Sequence, residues 1–360
     1  MAEGPLRGSV LSLTLFDVCE EINLAQLSSI LGAPRVETTF KHSAPEYVRF
    51  ERPPVHEHVG EVALSTGDRV HADLKFYDYG VVSVTLERPF AGSWDDLLTL
   101  AKDWIWSPTF ESDASAIVRA RVERAVPALV KSYSRWLTED YFIFHLSEIE
   151  GQPTAEELAR ESGERMARIV RGETGHLSNA EVSEILQSRI SYYPNDLAVI
   201  GWNAAFLYDT ATGAEGTVQL LEYANSQLLE FRHYDELLTR ELQRVYNSLE
   251  QGTGVIRRWR FAREASRLNT VRLEVTEIAE RADNAIKFLS DMFAARLYRL
   301  AAAKVGVPDY KDLVNSKLKT AEELYRFMVD EFHQGRAFVL ELIVVIILII
   351  ELLALFRGKI

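Results

Sequence analysis

The sequence predicts an α+β amino-terminal part, then a long-helix, coiled-coil-like stalk, then a C-terminal transmembrane helix. Three patterns indicate this class: alternating apolar residues early in the chain, heptad-spaced apolar residues beyond residue 213, and an aliphatic run at residues 337–356. The 360 residues are enough for two or three domains. We expect an α+β domain at 1–150, helices and a β-hairpin that continue it at 151–212, the stalk at 213–335 and the transmembrane helix at 336–357.

Composition excludes several classes of protein. The chain has 40 Lys+Arg and 53 Asp+Glu, a net charge of −13, which argues against the whole molecule being a nucleic-acid-binding protein. A hydrophobic fraction of 47% and a charged fraction of 26% are those of a globular protein and exclude a largely disordered chain. The single cysteine, Cys19, excludes a disulfide framework and a zinc finger.

The first 150 residues have strand and helix patterns in the order β-α-β-β-α-β, which resembles a ferredoxin-like unit. The strands alternate apolar and polar residues, and Asp78–Tyr79–Gly80 predicts the turn of a hairpin. The expected elements are strands at 11–15, 70–76, 82–86 and 141–146, and helices at 23–31, 93–104 and 112–137. Beyond them we expect a helix at 154–171, a helix capped by Ser178, and a second hairpin at 189–208.

The stalk is predicted by apolar residues that recur at heptad spacing over 217–251 and again from 255 to about 300. Gly252 and Gly254 separate these stretches, and Gly306 and Pro308 precede a third helix at 309–332. Short loops between long helices indicate antiparallel neighbours, so we expect a helical hairpin or a three-helix stalk. The pattern leaves open whether these seams pack only within one chain or also between copies.

The run at 337–356 is interrupted only by Glu341 and Glu351. As a helix it is about 30 Å long, the thickness of a bilayer's hydrocarbon core. Few residues follow it, and residues 1–23 do not have the pattern of a signal or transit peptide. We therefore expect a tail-anchored, single-pass protein of the bacterial inner membrane, with the lipid bilayer as a partner and the bulk of the chain cytoplasmic.

The two acidic residues of the predicted span suggest an assembly. A charge inside a bilayer is costly and is usually paired, protonated or placed between subunits. Because ten residues separate them, Glu341 and Glu351 would share one seam with Val344 and Leu348 in a supercoiled bundle. This spacing favours a homo-oligomer. The alternative is that both carboxylates lie near the interfaces and contribute nothing specific.

Catalytic motifs are missing from the sequence: it contains no GxGxxG, no Walker loop, no GxSxG and no HExxH. We therefore predict no catalytic residue, no cofactor, no metal and no enzyme activity. His56 and His58 are the best metal candidates, since imidazole suits zinc or manganese. A metal-dependent enzyme that uses them is one alternative function, and an exposed polar loop is the simpler interpretation.

A cluster of arginines lies at the start of the second heptad stretch, together with Trp259 and Phe261. Its members are Arg257, Arg258, Arg260, Arg263, Arg267 and Arg272. Arginines beside aromatic residues can bind the phosphates of RNA or of anionic lipid headgroups. A tether for a ribosome or RNA is therefore a second alternative function. The competing interpretation is a face of ion pairs with the acidic residues of the preceding helix.

Several segments resemble the required-for-meiotic-nuclear-division family, which is defined by a domain of unknown function. They are DLAVIGWNAAFLYD at 196–209, LLEYANSQLLEFRHYDELL at 220–238, LELIVVIILIIELL at 340–353 and KFYDYGVV at 75–82. The resemblance implies a membrane-anchored, helix-rich protein without established enzyme activity. Because no transit-like amino terminus is present, the chain resembles a bacterial-type member rather than the mitochondrial one, which is similar to a tether that supports translation.

Together these patterns predict a tail-anchored, non-enzymatic scaffold that self-associates. Its α+β part would be presented to a cytoplasmic protein partner that the sequence does not identify.

Overall fold

The computed structural model describes residues 5–32, 48–50, 52–250, 255–284, 286–288 and 292–357. The chain divides into two compact units. The first comprises Met1–His233 and Ala279–Tyr310, and the second comprises Tyr234–Ile278 and Lys311–Ile360. Each unit therefore takes residues from two separate stretches of the sequence.

The described residues contain strands and helices in mixed order. The strands are β1 (Leu6–Ile22), β2 (Val48–Phe50), β3 (Val55–Ala63), β4 (Arg69–Phe76), β5 (Val81–Gly92), β6 (Leu129–Glu148), β7 (Arg189–Ile190), β8 (Leu197–Ile200), β9 (Ala204–Tyr208) and β10 (Ile286–Phe288). The helices are α1 (Leu24–Leu31), α2 (Trp94–Ile105), α3 (Phe110–Ala125), α4 (Ala155–Arg171), α5 (Asn179–Gln187), α6 (Ala211–Glu250), α7 (Val255–Asn284), α8 (Met292–Val305) and α9 (Val307–Arg357). A short 3₁₀ turn, Val126–Ala128, joins α3 to β6.

The first unit is built on a mixed sheet, to which the described residues contribute eight strands in the order β3-β4-β5-β1-β6-β9-β8-β7. Neighbouring strands are antiparallel except β6 and β9, which run parallel. The predicted ferredoxin-like unit is therefore wrong. The long strands β1 and β6 pair along nearly their whole length, from Arg7 opposite Glu148 to Ile22 opposite Leu129. This pairing draws 129–137 into a strand where the local pattern predicts a helix, because tertiary contacts override weak local propensity.

One face of the sheet packs against the helices α1 to α5. Because successive strand residues point to opposite faces, alternate residues of each strand enter this core. Its buried members include Phe16, Phe144 and Phe206 on the strands and Trp94 and Trp104 on α2. The other face of the sheet lies against α6, as contacts of β4, β6 and the turn after β4 with the first 23 residues of α6 show.

The hairpin of β4 and β5 confirms the turn predicted at 78–80. Gly80 has a φ of 94°, a conformation that costs other residues free energy. Its backbone also lies so close to β1 that an added Cβ would be 1.8 Å from the carbonyl oxygen of Cys19. The Gly80 carbonyl accepts a hydrogen bond from the N–H of Val18 at 3.1 Å. The turn therefore fixes the β4–β5 hairpin against the central strand.

Local signals also placed several helices correctly. Ser93 and Asp96 form a capping box at α2, and Thr154 and Glu157 form one at α4. The Ser178 hydroxyl accepts the N–H of Glu181 at the start of α5, as predicted. These caps satisfy N–H groups that the first helical turn leaves without an intrahelical partner.

The second unit contains the end of α6, most of α7 and the larger part of α9. Its apolar core joins residues of all three helices: Leu242, Val245, Ala265, Leu268, Ala321 and Met328. The second heptad stretch does not continue as one helix to residue 300, because α7 ends at Asn284 and β10 follows. β10 pairs with β2 in a separate two-stranded sheet.

The prediction of a transmembrane helix at 336–357 is wrong. Among the helices of the described residues, none combines the length and the apolar character that crossing a membrane requires. Of the predicted transmembrane segment, the structure describes the side chains of residues 343–353. As a helix these span about 16 Å, roughly half of a bilayer's hydrocarbon core. The predicted tail anchor and the predicted single-pass location in a bacterial inner membrane are therefore also wrong.

Candidate functional site

The carboxy-terminal part of α9 exposes a run of large aliphatic side chains at 343–353, which we call the aliphatic run. Each of these side chains is between 46% and 60% exposed: Ile343, Val344, Val345, Ile346, Ile347, Leu348, Ile349, Ile350, Leu352 and Leu353. Successive residues of a helix lie about 100° apart, so the run is apolar on every side of the helix. Glu351 is its only charged member, and it is exposed.

Upstream in the same helix, the buried apolar residues lie on one side of α9. Ala321 and Met328 are buried in the core of the second unit, with Leu324 and Tyr325 partly buried beside them. These residues recur every three or four positions, which is the spacing of one helical face. The change from one apolar face to apolar residues all round distinguishes the aliphatic run from the part of α9 that packs within its own unit.

Within the run, Val344, Leu348 and Glu351 follow the 4-and-3 spacing of a coiled-coil seam. Glu341, which the sequence places on the same seam, has a side chain outside the described residues. Three of the four residues of the predicted seam therefore lie on an exposed helix, and packing between copies through that seam stays a prediction.

The arginine cluster is partly paired inside the second unit. Arg267 Nε lies 3.0 Å from a carboxylate oxygen of the buried Glu241, which Arg244 also contacts at 2.8 Å. Arg272 lies 3.8 Å from Glu322. Arg263 is exposed, and the side chains of Arg257, Arg258 and Arg260 lie outside the described residues. Two of the six arginines in the cluster therefore have intramolecular partners. Binding of RNA or a ribosome by this cluster stays a prediction.

A further ion pair involves Asp235, a polar residue at a seam position of the first heptad stretch, 217–251. Asp235 of α6 accepts a hydrogen bond from the ammonium of Lys317 on α9 at 2.5 Å. The same ammonium donates to the Thr239 hydroxyl at 2.6 Å. The seam thus carries one specific polar contact among apolar ones, which fixes the register of the two helices.

His56 and His58 lie on β3 rather than in the loop that the sequence favours. Because they are two residues apart on one strand, both rings reach the same carboxylate oxygen of Asp73 on β4: Nε2 of His56 at 3.1 Å and Nδ1 of His58 at 2.6 Å. Burial raises the pKa of Asp73, but hydrogen bonds from the two histidines outweigh it and hold this pKa below its usual value. No group of three or more His, Cys, Asp or Glu within the described ranges has a metal-binding arrangement. A metal-dependent enzyme stays an untested prediction.

A set of buried polar contacts between the sheet and α6 was missed from the sequence. The Lys75 ammonium contacts the fully buried Glu222 carboxylate, and Tyr79 and Ser226 hydroxyls are 2.7 Å apart. Burial, and then the Glu222 charge, raise the pKa of Tyr77 well above its usual value. A signal was available, since Glu222 and Ser226 belong to a segment of α6 that is otherwise largely apolar.

Farther along α6, Asp17 Oδ2 lies 2.5 Å from His233 Nδ1, and the His233 ring stacks on Tyr133. Burial raises the pKa of Asp17 against the opposing effect of His233. Cys19 is fully buried, and burial, then the Asp17 charge, raise the pKa of its thiol to about 12. The thiol is therefore protonated at neutral pH and is not an activated nucleophile.

Comparison with known proteins identifies relatives of the chain. Residues 7–215 match the family model described as "Uncharacterized protein MJ0711, N-terminal domain". The uncharacterized protein MJ0711 of Methanocaldococcus jannaschii is 18% identical over 231 residues, which are 64% of this chain and 70% of that protein. No solved structure matches the chain significantly.

These matches show that the predicted membership of the required-for-meiotic-nuclear-division family, as a bacterial-type member, is wrong. The matching model is that of another family, and the relative is archaeal. The segments that suggested the resemblance are a strand turn, a hairpin with the following helix, and an aliphatic helix. Such segments recur in unrelated proteins because turn chemistry and apolar periodicity are general.

Proposed function

We propose that this chain, which belongs to the family of the MJ0711 N-terminal domain, is a non-enzymatic interaction protein that self-associates through the aliphatic run of α9. The family and the relative are both described as uncharacterized, so the proposal rests on the chain's own geometry. The observation that carries it is the exposure of ten large aliphatic side chains on every side of one helix.

The free energy available from covering the run is large. Full burial of a Val, Leu or Ile side chain is worth roughly 1.5–3 kcal/mol. Since each of these side chains is about half exposed, covering the run would yield on the order of 10 kcal/mol per chain. An exposed apolar patch of this kind marks an interaction site or a site of aggregation.

The partner that best fits the aliphatic run is the same helix in one or more further copies of the chain. A groove on a folded partner covers one face of a helix, whereas this run is apolar all round. In a bundle of identical helices each helix packs against its neighbours along the inward positions Val344 and Leu348 and the residues that flank them, a wider arc than one groove covers. In such an assembly the first unit of each chain is the part that can contact a different protein.

The test is the mass of the full-length protein by analytical ultracentrifugation, together with matched variants. We expect a defined oligomer. A V344K/L348K variant places two charges in the seam and should shift the protein to monomers, because a buried unpaired charge is costly. Leu313→Lys is the control, since Leu313 is an exposed leucine of the same helix outside the run. It should leave the oligomer unchanged.

A monomeric full-length protein over the micromolar range would contradict the proposal. So would an oligomer whose mass is the same in V344K/L348K, because the run would then not be the contact. If the protein sediments as a monomer but binds lipid vesicles, the run is covered by something other than copies of this chain.

A further inference from the structure

A cavity of about 660 Å³ opens in the first unit between the sheet and the first turns of α6. Its lining combines polar and apolar residues. The polar residues include Asp73, Glu87, His145 and Glu215, and the apolar residues include Leu11 and Val218. Cavities of this size with a few convergent polar groups are typical sites for small molecules.

The charge of the lining is negative. Lys75 is the one lysine or arginine of the lining, and the buried Glu222 behind it balances its charge. The Asp73 carboxylate is also present, shared by His56 and His58. Glu87 and Glu215 have no ion-pair partner within the described residues. Two carboxylates without an ion-pair partner among the described residues, the half-buried Glu87 and the exposed Glu215, therefore line the cavity.

Two nearly buried side chains add hydrogen-bond acceptors to the same cavity. His145 is 7% exposed, and its Nε2 donates to the Asp209 carbonyl at 2.9 Å. Since a carbonyl can only accept, Nε2 carries the donated hydrogen, and the other ring nitrogen can accept a hydrogen bond when the ring is neutral. Ser9 is 8% exposed, lies beside His145 on the neighbouring strand, and its hydroxyl bonds no group in the part of the chain that is described. That hydroxyl can therefore bond a ligand that enters the cavity.

The start of α6 does not supply an anion site here. A helix amino terminus attracts anions through its free N–H groups. In this chain Asp209 already occupies that position: its Oδ1 accepts the N–H of Thr210 at 2.6 Å and lies against Gly213. A Cβ on Gly213 would come within 2.3 Å of that oxygen. The N–H of Gly213 donates to the Thr210 hydroxyl at 3.0 Å. The chain's own carboxylate thus counters the positive end of the helix.

From these contacts we infer that the cavity binds a small organic cation, an amine or guanidinium with an apolar body, whose N–H groups donate to Glu87 and Glu215. The excess of carboxylates and acceptors suits a ligand rich in hydrogen-bond donors, and the apolar lining residues suit its carbon skeleton. The volume far exceeds that of a metal-ion site. This inference is independent of self-association through the aliphatic run.

The experiment is isothermal titration calorimetry on the full-length chain with three cations: spermidine, agmatine and tryptamine. Indole-3-propionate, an anion with the same ring as tryptamine, is the matched ligand control. We expect at least one cation to bind, and the anion to bind at least tenfold more weakly than tryptamine or not at all. Glu87→Gln and Glu215→Gln should each raise the dissociation constant of the cation about tenfold, because each variant removes a charge-assisted hydrogen bond.

Glu123→Gln is the matched protein control. Glu123 is an exposed glutamate of α3 and does not line the cavity. It should leave binding unchanged. Glu87 and Glu215 are not fully buried, so their glutamine variants should fold, which circular dichroism checks. The inference is overturned if none of the three cations binds, if the anion binds as well as tryptamine, or if Glu123→Gln weakens the cation as much as the cavity variants do.

Discussion

Single residues at close backbone approaches set the geometry of the first unit, and Gly80 is the clearest example. Its positive φ and its contact with the Cys19 carbonyl leave no space for a side chain. We predict that Gly80→Ala lowers the free energy of unfolding by at least about 2 kcal/mol, from backbone strain together with steric overlap. Urea denaturation measures this effect.

Gly67→Ala is the control for that measurement. Gly67 has a φ of 90°, but an added Cβ would meet nothing within 4 Å. It should therefore cost only the backbone strain, about 1 kcal/mol. Equal losses in the two variants would show that the approach to Cys19 is unimportant.

Glu139 makes stability depend on pH near neutrality. Burial raises the pKa of its carboxyl to about 7 from 4.5, although the Arg232 charge opposes the shift. The folded protein therefore holds more protons than the unfolded chain between these two values. The contribution of Glu139 to the free energy of unfolding is fully present below about pH 4.5 and is lost as the pH rises through about 7.

We predict that Glu139→Gln removes about 1–3 kcal/mol of the decline in stability between pH 5 and pH 8. Urea unfolding at both pH values measures it, with Glu123→Gln as the reference variant. If the free energy of unfolding of Glu139→Gln falls between pH 5 and pH 8 as steeply as that of the unchanged protein, Glu139 is not the cause of the pH dependence.

At the scale of elements, α6 docks on the sheet through polar as well as apolar contacts. In the ion pair of Lys75 and Glu222, the carboxylate is fully buried and the lysine side chain is 20% exposed. Lys75→Met would leave that carboxylate without its cation, which typically costs about 3–5 kcal/mol. The double variant K75M/E222L removes both charges and should recover most of the loss.

Urea unfolding of K75M, E222L and the double variant K75M/E222L tests this coupling. If K75M alone is as stable as the unchanged protein, the pair contributes nothing to the docking of α6. If the double variant is no more stable than K75M, the loss has another cause.

Elements fixed by neighbouring residues were predicted well. The β4–β5 hairpin and the caps of α2 and α5 follow from turn and capping residues a few positions apart. The order of the sheet and the first half of β6 were not predicted, because they depend on pairing with the distant β1. The same holds for the contact of His56 and His58 with Asp73, which the antiparallel register of β3 and β4 creates.

For the whole molecule, the sequence identified the aliphatic run correctly as exceptional but assigned it to the wrong environment. Composition shows that a segment is apolar all round; it does not show what covers the segment. The two units also divide α6 and α7 between them, at points where neither helix is interrupted. No local signal marks such a boundary, because the helical pattern continues through it.

Oxidative crosslinking of one introduced cysteine tests self-association most directly. Cys19 is the only natural cysteine and is buried, so Leu348→Cys adds a single exposed thiol. If the runs of neighbouring chains pack in register, mild oxidation yields a covalent species of twice the 40.9 kDa chain mass at micromolar protein, whereas Leu313→Cys does not. Uncrosslinked Leu348→Cys under the same conditions, or equal crosslinking of both variants, would contradict a specific contact through the aliphatic run.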